Sequence, residues 1–413
     1  MPPRVVVLTT YFKPIIGGVE SSAERLARFL VRSGIDAQVV TKRISPELPD
    51  REQMDGVPIE RIGRLGDRDP RGKWWLVPSA ARWLVAHRAG HDVVCCIDYR
   101  GIGMAALIAR RLTGHPVVFQ AQTTGVLSAG NVDDTLRGVG VDPGAWLGQR
   151  VKSIVTRLYA GADAFACISR DIEQETLAAG VAPDRIHFLP NPVDMTHFRP
   201  TDDAARCRVR AQYGVADDRV IVAFAGRLSR EKGLMDLLEA WRQLAVSGAA
   251  APRDGPGPLL LVAGPDMPGH AWNLGELARA FVREHALQES VRFLGPLADV
   301  APLYQAADVA VVPSHFEALG LSALEALACG TPVVASSAGG LLDFMIDGVN
   351  GALCPPQSPA ALAGRLGPLL TDAALRHRLA VNARPSVEQS YDESVVLSRF
   401  ATLLASLARR RTD

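Results

Sequence analysis

Short runs of consecutive apolar residues alternate along the whole chain with longer segments whose apolar positions recur three and four apart. In the first half the runs fall at 4–10, 37–41, 93–97, 116–121, 164–168 and 185–189, with a further short one at 58–62. Runs of that length, apolar throughout, are what a strand buried on both faces requires. The segments between them, at 19–32, 75–88, 103–112, 147–159 and 171–179, carry helical periodicity. Residues 123–145 are rich in Gly and Asp and read as one long irregular loop. Pro190-Asn191-Pro192-Val193-Asp194, then Pro200 and a polar stretch to Asp218, read as a hinge and linker. The alternation then restarts with runs at 220–225, 259–263, 291–294, 309–313 and 332–336. Helices are expected from 234 through 244, at 274–284, 358–370 and 372–382, and last at 393–410. The pattern predicts an α/β protein with two doubly wound, parallel-sheet, Rossmann-like domains facing a cleft. The first covers 1–195 and the second 196–385, with 386–413 forming a C-terminal helix that packs back on the first. Ligands in such sheets bind beyond the carboxyl ends of the strands, which puts the expected site in that cleft.

The stretch from Pro313 to Gly340 carries the most chemistry. A strand ends at Pro313, a polar loop follows (Ser314, His315, Phe316, Glu317), and 319–328 has the Ala/Leu/Glu content of a helix closed by Gly330. Free N–H groups at the start of such a helix suit phosphate. Glu317 precedes the helix and Glu325 lies inside it. Eight helical residues span about 12 Å, more than the roughly 5–9.5 Å between paired carboxylates that cut a glycosidic bond. The two acids fit better as holders of two parts of one long ligand, such as a nucleoside diphosphate sugar.

Composition narrows the picture. Apolar residues make up 48% of 413, enough for large cores and too many for a disordered chain. The net charge of +1, with a slight basic excess before residue 200 and a slight acidic one after it, gives no reason to expect nucleic acid. Cys95, Cys96, Cys167, Cys207, Cys329 and Cys354 show no metal-ligand spacing and sit mostly in apolar runs, as buried free thiols in a reducing compartment would. No apolar run is long enough to span a membrane, and the N-terminus lacks a signal-peptide core, so a cytoplasmic protein is expected.

The ordered set of motifs resembles the retaining GT-B glycosyltransferases of family 4. The matching residues are Gly17-Gly18-Val19-Glu20, Asn191-Pro192-Val193-Asp194, Gly226-Arg227 with Glu231-Lys232-Gly233, and Phe293-Leu294-Gly295. They continue with Glu317 and Glu325 in an E-x7-E spacing, Gly330-Thr331-Pro332-Val333-Val334-Ala335, and Gly339-Gly340. They span nearly the whole chain. The resemblance implies transfer of a sugar from a nucleoside diphosphate sugar to a hydroxyl acceptor, with retention and without a metal or other cofactor. Arg227 and Lys232 would grip the donor diphosphate, Glu317 the sugar hydroxyls and Glu325 the ribose. Leu319, Gly320 and Leu321 would supply main-chain N–H groups, Gly295 and Leu297 would face the base, and Gly17 and Gly18 would let backbone approach the phosphates. Lys232 has no acidic partner in the local sequence, so an anion is expected to join it.

The chain departs from the pattern at Phe119-Gln120-Ala121-Gln122-Thr123, where many relatives carry a histidine. Gln122 and Thr123 can bond a sugar hydroxyl but are not bases at neutral pH. Ala318 stands where the family has proline. Asp67-Arg68-Asp69 spells the D-x-D of metal-using transferases but lies in a polar loop, so it reads as coincidence. The acceptor is less defined. Residues 71–88 combine Trp74, Trp75 and Trp83 with basic residues, a pattern open to two readings: peripheral contact at the inner membrane face beside a lipid-linked acceptor, or a core helix with snorkelling arginines. His87, His91 and His187 read as structural. On residues alone, a nucleotide-sugar epimerase or phosphorylase of the same fold stays open, as does a non-catalytic nucleotide-sugar-binding protein.

Overall fold

The apolar runs form two sheets, each the centre of a compact unit made of Met1–Asn191 with Val396–Asp413, and of Pro192–Val395. The structure, a computed structural model, describes residues 2–15, 17–64, 70–127, 132–138, 140–248, 257–266, 269–270 and 273–409. Among these, no helix is long and apolar enough to cross a membrane.

The first unit has eight strands: β1 (Arg4–Thr9), β2 (Asp36–Lys42), β3 (Arg51–Met54), β4 (Val57–Ile62), β5 (Val93–Ile97), β6 (Val117–Gln120), β7 (Ala164–Cys167) and β8 (Ile186–Phe188). Their order is β3-β4-β2-β1-β5-β6-β7-β8, so the chain reverses direction across the sheet between β1 and β5. All neighbours are parallel except the β3–β4 hairpin. The core joins Val5, Val7, Val39 and Ile97 to Leu26 and Leu30 of the helix Gly18–Arg32. The last helix, Glu393–Arg409, adds Leu397, Phe400, Leu404 and Leu407.

The second unit holds β9 (Ile221–Ala225), β10 (Leu259–Ala263), β11 (Val291–Gly295), β12 (Val309–Val312), β13 (Val333–Ser336) and β14 (Gly351–Cys354), all parallel, in the order β11-β10-β9-β12-β13-β14. Its reversal lies between β9 and β12, the two strands that precede the Arg227 loop and the Glu317 loop.

Several expectations need correction. The polar linker is largely a helix, Asp203–Gln212, capped by the Asp202 carboxylate, which accepts from the Ala205 amide at 2.7 Å. It is amphipathic through a cation: Arg210, buried, donates to the Ala306, Asp217 and Arg219 carbonyls and to Asp308 at 2.6 Å. The irregular 123–145 loop contains the helix Asp133–Gly138. The helix expected from residue 319 starts at Leu321, because Gly320 holds φ +97 outside it. Strands β3 and β14 have no counterpart among the expected elements, and the single helix expected over 386–413 is two, Pro385–Tyr391 and Glu393–Arg409. β3 has no apolar run, yet Asp55-Gly56 after it, both at positive φ, is the hairpin signal that marks it.

Five cysteines are buried and Cys207 is exposed. Burial raises the thiols of Cys167 and Cys329 to about 12 and that of Cys354 to about 11, and pushes Cys95 and Cys96 up further. A thiol-specific disulfide reagent should therefore titrate one thiol per native chain, lost in Cys207→Ser, and six after unfolding. Fast reaction of a second native thiol would contradict this packing. Removing the buried cation with Arg210→Ala should cost about 1–3 kcal/mol in urea unfolding, since the Ala306, Asp217 and Arg219 carbonyls lose their donor while Asp308 keeps Arg206 at 2.6 Å. A loss near zero would show that this helix is not integral to the second unit.

Candidate functional site

Parallel strands release their loops on one side of a sheet, so the paired neighbours β9 and β12 deliver the segments after Ala225 and Val312 side by side. Their approach is close enough to dictate sequence. Gly233 sits at φ +67, and a Cβ there would lie 1.9 Å from the Pro313 carbonyl oxygen. Only glycine meets both conditions. The His315 amide donates to the Glu231 carbonyl at 2.9 Å and joins the two loops directly.

This contact places the Lys232 ammonium 2.6 Å from Glu317 Oε1. The expectation that Lys232 lacks an acidic partner is thus corrected: the partner is 85 residues away in sequence, where local inspection could not find it. Ser314, buried, donates its hydroxyl to the same oxygen at 2.7 Å. Among the described residues, nothing bonds Glu317 Oε2, and Lys232 has donor directions beyond the one Glu317 takes. Arg227 lies five residues before Lys232 on the β9 loop, about half exposed, 3.1 Å from the Glu231 carboxylate.

The Glu317 backbone is fixed from its other side by the loop after β13. Gly340 donates its amide to the Glu317 carbonyl at 2.9 Å. A Cβ on Gly339 would lie 2.0 Å from that oxygen, and one on Gly340 2.5 Å from the Ala318 carbonyl. The helix Leu321–Ala328 begins immediately after. Ala323 and Leu324 turn their amides back to the Gly320 carbonyl, so those of Leu321 and Ser322 fall outside the intrahelical ladder and face whatever lies before the helix. Leu319 is buried just ahead of it.

Glu325 is half-buried inside that helix. Behind it the buried Tyr304 hydroxyl has no bonding partner among the described residues, and its pKa is driven well above the ordinary value by burial first and then by the charge of Glu325. At the far edge of the sheet, Gly295 closes β11 at φ +73 and accepts the Gly264 amide at 2.8 Å, with Leu297 half-buried two residues on. The second unit therefore gathers Arg227, Lys232, Gly295, Leu297, Glu317, Leu319, Gly320, Leu321 and Glu325 along one edge of its sheet. Sequence inspection missed Ser314 as a partner of Glu317. It also missed the His315–Asp236 contact of 2.6 Å, which ties the Glu317 loop to the helix Leu234–Val246. Ser314, three residues before the acid in a strand-end loop, was the visible clue to the first; nothing local signalled the second.

Gly17, Gly18, Gln122 and Thr123 belong to the first unit. Gly17 caps the helix Gly18–Arg32 in extended backbone, and a Cβ there would meet Glu20 Oε2 at 2.4 Å, whereas one on Gly18 would meet nothing. Glu20 is buried, and its pKa is raised chiefly by that burial, against a bond from its own backbone and with help from Asp98. Gln122 is engaged: Asn191 donates its amide to Gln122 Oε1 at 2.7 Å, and Gln122 Nε2 reaches Ser22 Oγ at 3.3 Å. Thr123 is half-buried beside it. In the helix Pro70–Ala86, Leu76, Val77, Ala80, Trp83 and Leu84 are buried, which makes this part a core helix. The Asp67–Asp69 triplet, and the side chains of Trp74 and Trp75, lie outside the described residues. His87 Nδ1 bonds the Trp83 carbonyl and His91 Nδ1 the His87 carbonyl, at 2.9 and 3.1 Å.

Comparison with known proteins agrees with this arrangement. Residues 206–385 match the family described as glycosyl transferases group 1, and 17–192 the glycosyl transferase 4-like domain. The chain is 30% identical to a D-inositol 3-phosphate glycosyltransferase of Xylanimonas cellulosilytica, over 95% of this chain and 94% of that one. It is 32% identical to the protein of that name from Geodermatophilus obscurus, over 93% and 85%. Among solved structures it resembles sucrose-phosphate synthase from Thermosynechococcus elongatus, with a TM-score of 0.78, 24% identity and coverage of 98% and 99%. It also resembles Anabaena Alr3699/HepE in complex with UDP and glucose, with a TM-score of 0.75, 22% identity and coverage of 98% and 100%. The two sheets, the motif order and these relatives lead to one conclusion: the chain belongs to the GT-B glycosyltransferases of family 4.

Proposed function

We propose that this glycosyltransferase takes its sugar from a nucleoside diphosphate sugar and passes it to a hydroxyl acceptor with retention of configuration, without a metal ion. The observation that carries this reading is the 2.6 Å contact between Lys232 and Glu317 at the strand reversal of the second sheet. It sets a cation with spare donors beside a carboxylate with a spare oxygen, at the front of a helix. Phosphate oxygens suit the first and the helix amides, and sugar hydroxyls suit the second. Arg227 adds a planar fork to the same loop. Glu325 and the backbone at Gly295 and Leu297 remain for the ribose and the base.

In this reading the anomeric carbon–oxygen bond breaks toward the diphosphate, and negative charge grows on the departing oxygen. Lys232, Arg227 and the Leu321 and Ser322 amides stabilise that charge, each worth about 3–4 kcal/mol when preorganised. The acceptor hydroxyl attacks the oxocarbenium-like carbon from the face the phosphate is leaving, and the phosphate oxygen takes its proton. An amide at Gln122 cannot serve as that base, which favours the phosphate. Two side-chain cations supply the charge that a metal would otherwise bring. The names of the relatives make a polyol phosphate such as D-inositol 3-phosphate the first acceptor to try, and HepE makes UDP-sugars the first donors.

Thermal unfolding with UDP, GDP, ADP and dTDP should single out one nucleotide, which at a hundred times its dissociation constant adds about 2.7 kcal/mol of stability. Arg227→Ala and Lys232→Ala should lose most of that shift, and an undiminished shift in both would refute the phosphate assignment. With the matching donor, turnover should survive EDTA, and NMR of the product should show the donor's anomeric configuration. An inverted product, or activity restored only by added metal, would sink the mechanism.

A further inference from the structure

Two helices of the first unit expose apolar side chains that the core does not use. On Trp146–Tyr159, Trp146 is 74% exposed, Leu147 50% and Ile154 51%. On Ile102–Thr113, Leu112 is 69% exposed and Ile108 41%. Their spacing is regular. Residues 146, 150, 153 and 157, with 147 and 154 beside them, follow one stripe of the first helix, and 108, 111 and 112 one stripe of the second. Ile108, Arg111, Arg157 and Leu158 line a single shallow groove of about 130 Å³, so the two stripes are continuous.

The charge carried by the two helices has one sign. Neither helix contains an Asp or Glu. Arg110 is held by Asp163 and Lys152 by Asp133. Arg111, Arg150 and Arg157 make no ion pair among the described residues, and Arg150 lies over the Trp146 ring, 5.5 Å from its centroid.

We propose that this face docks on an anionic lipid surface. An exposed Trp with scattered aliphatic side chains enters the headgroup boundary, while interleaved arginines meet lipid phosphates. A symmetric contact with a second copy is disfavoured, because it would set this cationic face against itself. The surface differs from the tryptophan-rich 71–88 stretch, where Leu76, Val77, Trp83 and Leu84 are buried. It does not depend on the donor reading, since no residue named for the donor takes part.

The test is co-sedimentation of the full chain with vesicles of phosphatidylcholine plus phosphatidylglycerol, and of phosphatidylcholine alone. Binding should favour the anionic vesicles and fall with salt. Each arginine near such a surface changes partitioning about fivefold, so the triple variant R111Q/R150Q/R157Q should bind about a hundredfold more weakly. Trp146→Ser should weaken binding at every salt concentration. Both variants should keep the wild-type melting temperature and nucleotide-induced shift, which separates this failure from failure of the donor site. Equal binding to both vesicle types, or undiminished binding by the triple variant, overturns the proposal. So does a wild-type dimer in sedimentation analysis that Trp146→Ser dissolves, which would make the face a protein interface.

Discussion

The close approach of two loops, allowed by the missing side chain of Gly233, governs the chemistry of the second unit. With the Pro313 carbonyl 1.9 Å from where a Cβ would stand, any other residue would drive the β9 loop away from the β12 loop. Lys232 and Glu317 would then part, and a cation and a carboxylate that share one hydrogen bond would become two separate surface charges. Held together, they set a cation that suits phosphate beside a carboxylate that suits hydroxyls, the juxtaposition on which the proposed donor site rests. Water screens such a pair less when it is partly covered, and Glu317 is 10% exposed.

The sheet supplies what the loops require. Because β9, β10, β11, β12 and β13 are parallel, their exits share an edge, and segments far apart in sequence assemble without a long excursion of chain. The exits are locked to one another by backbone bonds: Gly226 to Ala263, Gly264 to Gly295, His315 to Glu231 and Gly340 to Glu317. Such bonds leave the functional side chains little room to wander, which is the condition for stabilising charge that appears only briefly. In the first unit, Gln122, Ser22 and Asn191 close a buried amide–hydroxyl network at the last residue before the chain enters the second unit. An amide does this where an imidazole could instead move protons, so the first unit of this chain favours order over acid–base chemistry at that position.

Most of the architecture could be read from apolar runs, because a strand buried on both faces has no alternative pattern. The failures share a cause. β3 has no apolar residue before Met54, and the helix Asp203–Gln212 buries an arginine rather than a leucine, so neither shows in hydrophobic periodicity although Asp202 and the Asp55-Gly56 turn marked both. Arg227, Lys232, Glu317 and Glu325 were legible as a set because their types and order match a known family. Their physical relation was not. That Lys232 bonds Glu317, that Ser314 supports the same oxygen and that His315 meets Asp236 are consequences of β9 lying next to β12, and strand order is not written in any local stretch. The apolar stripe on Trp146–Tyr159 was hidden for the opposite reason: its pattern is that of an ordinary core helix, and only the folded surface tells which face is outside.

The most direct measurement compares the affinity of a nucleoside diphosphate with that of the matching monophosphate, by calorimetry, in the wild-type chain and in Lys232→Ala. If Lys232, held beside Glu317, grips the terminal phosphate, the wild type will prefer the diphosphate and the variant will lose most of that preference while still binding the monophosphate. An unchanged ratio in the variant would mean that the terminal phosphate lies elsewhere and that Lys232 does not hold the diphosphate.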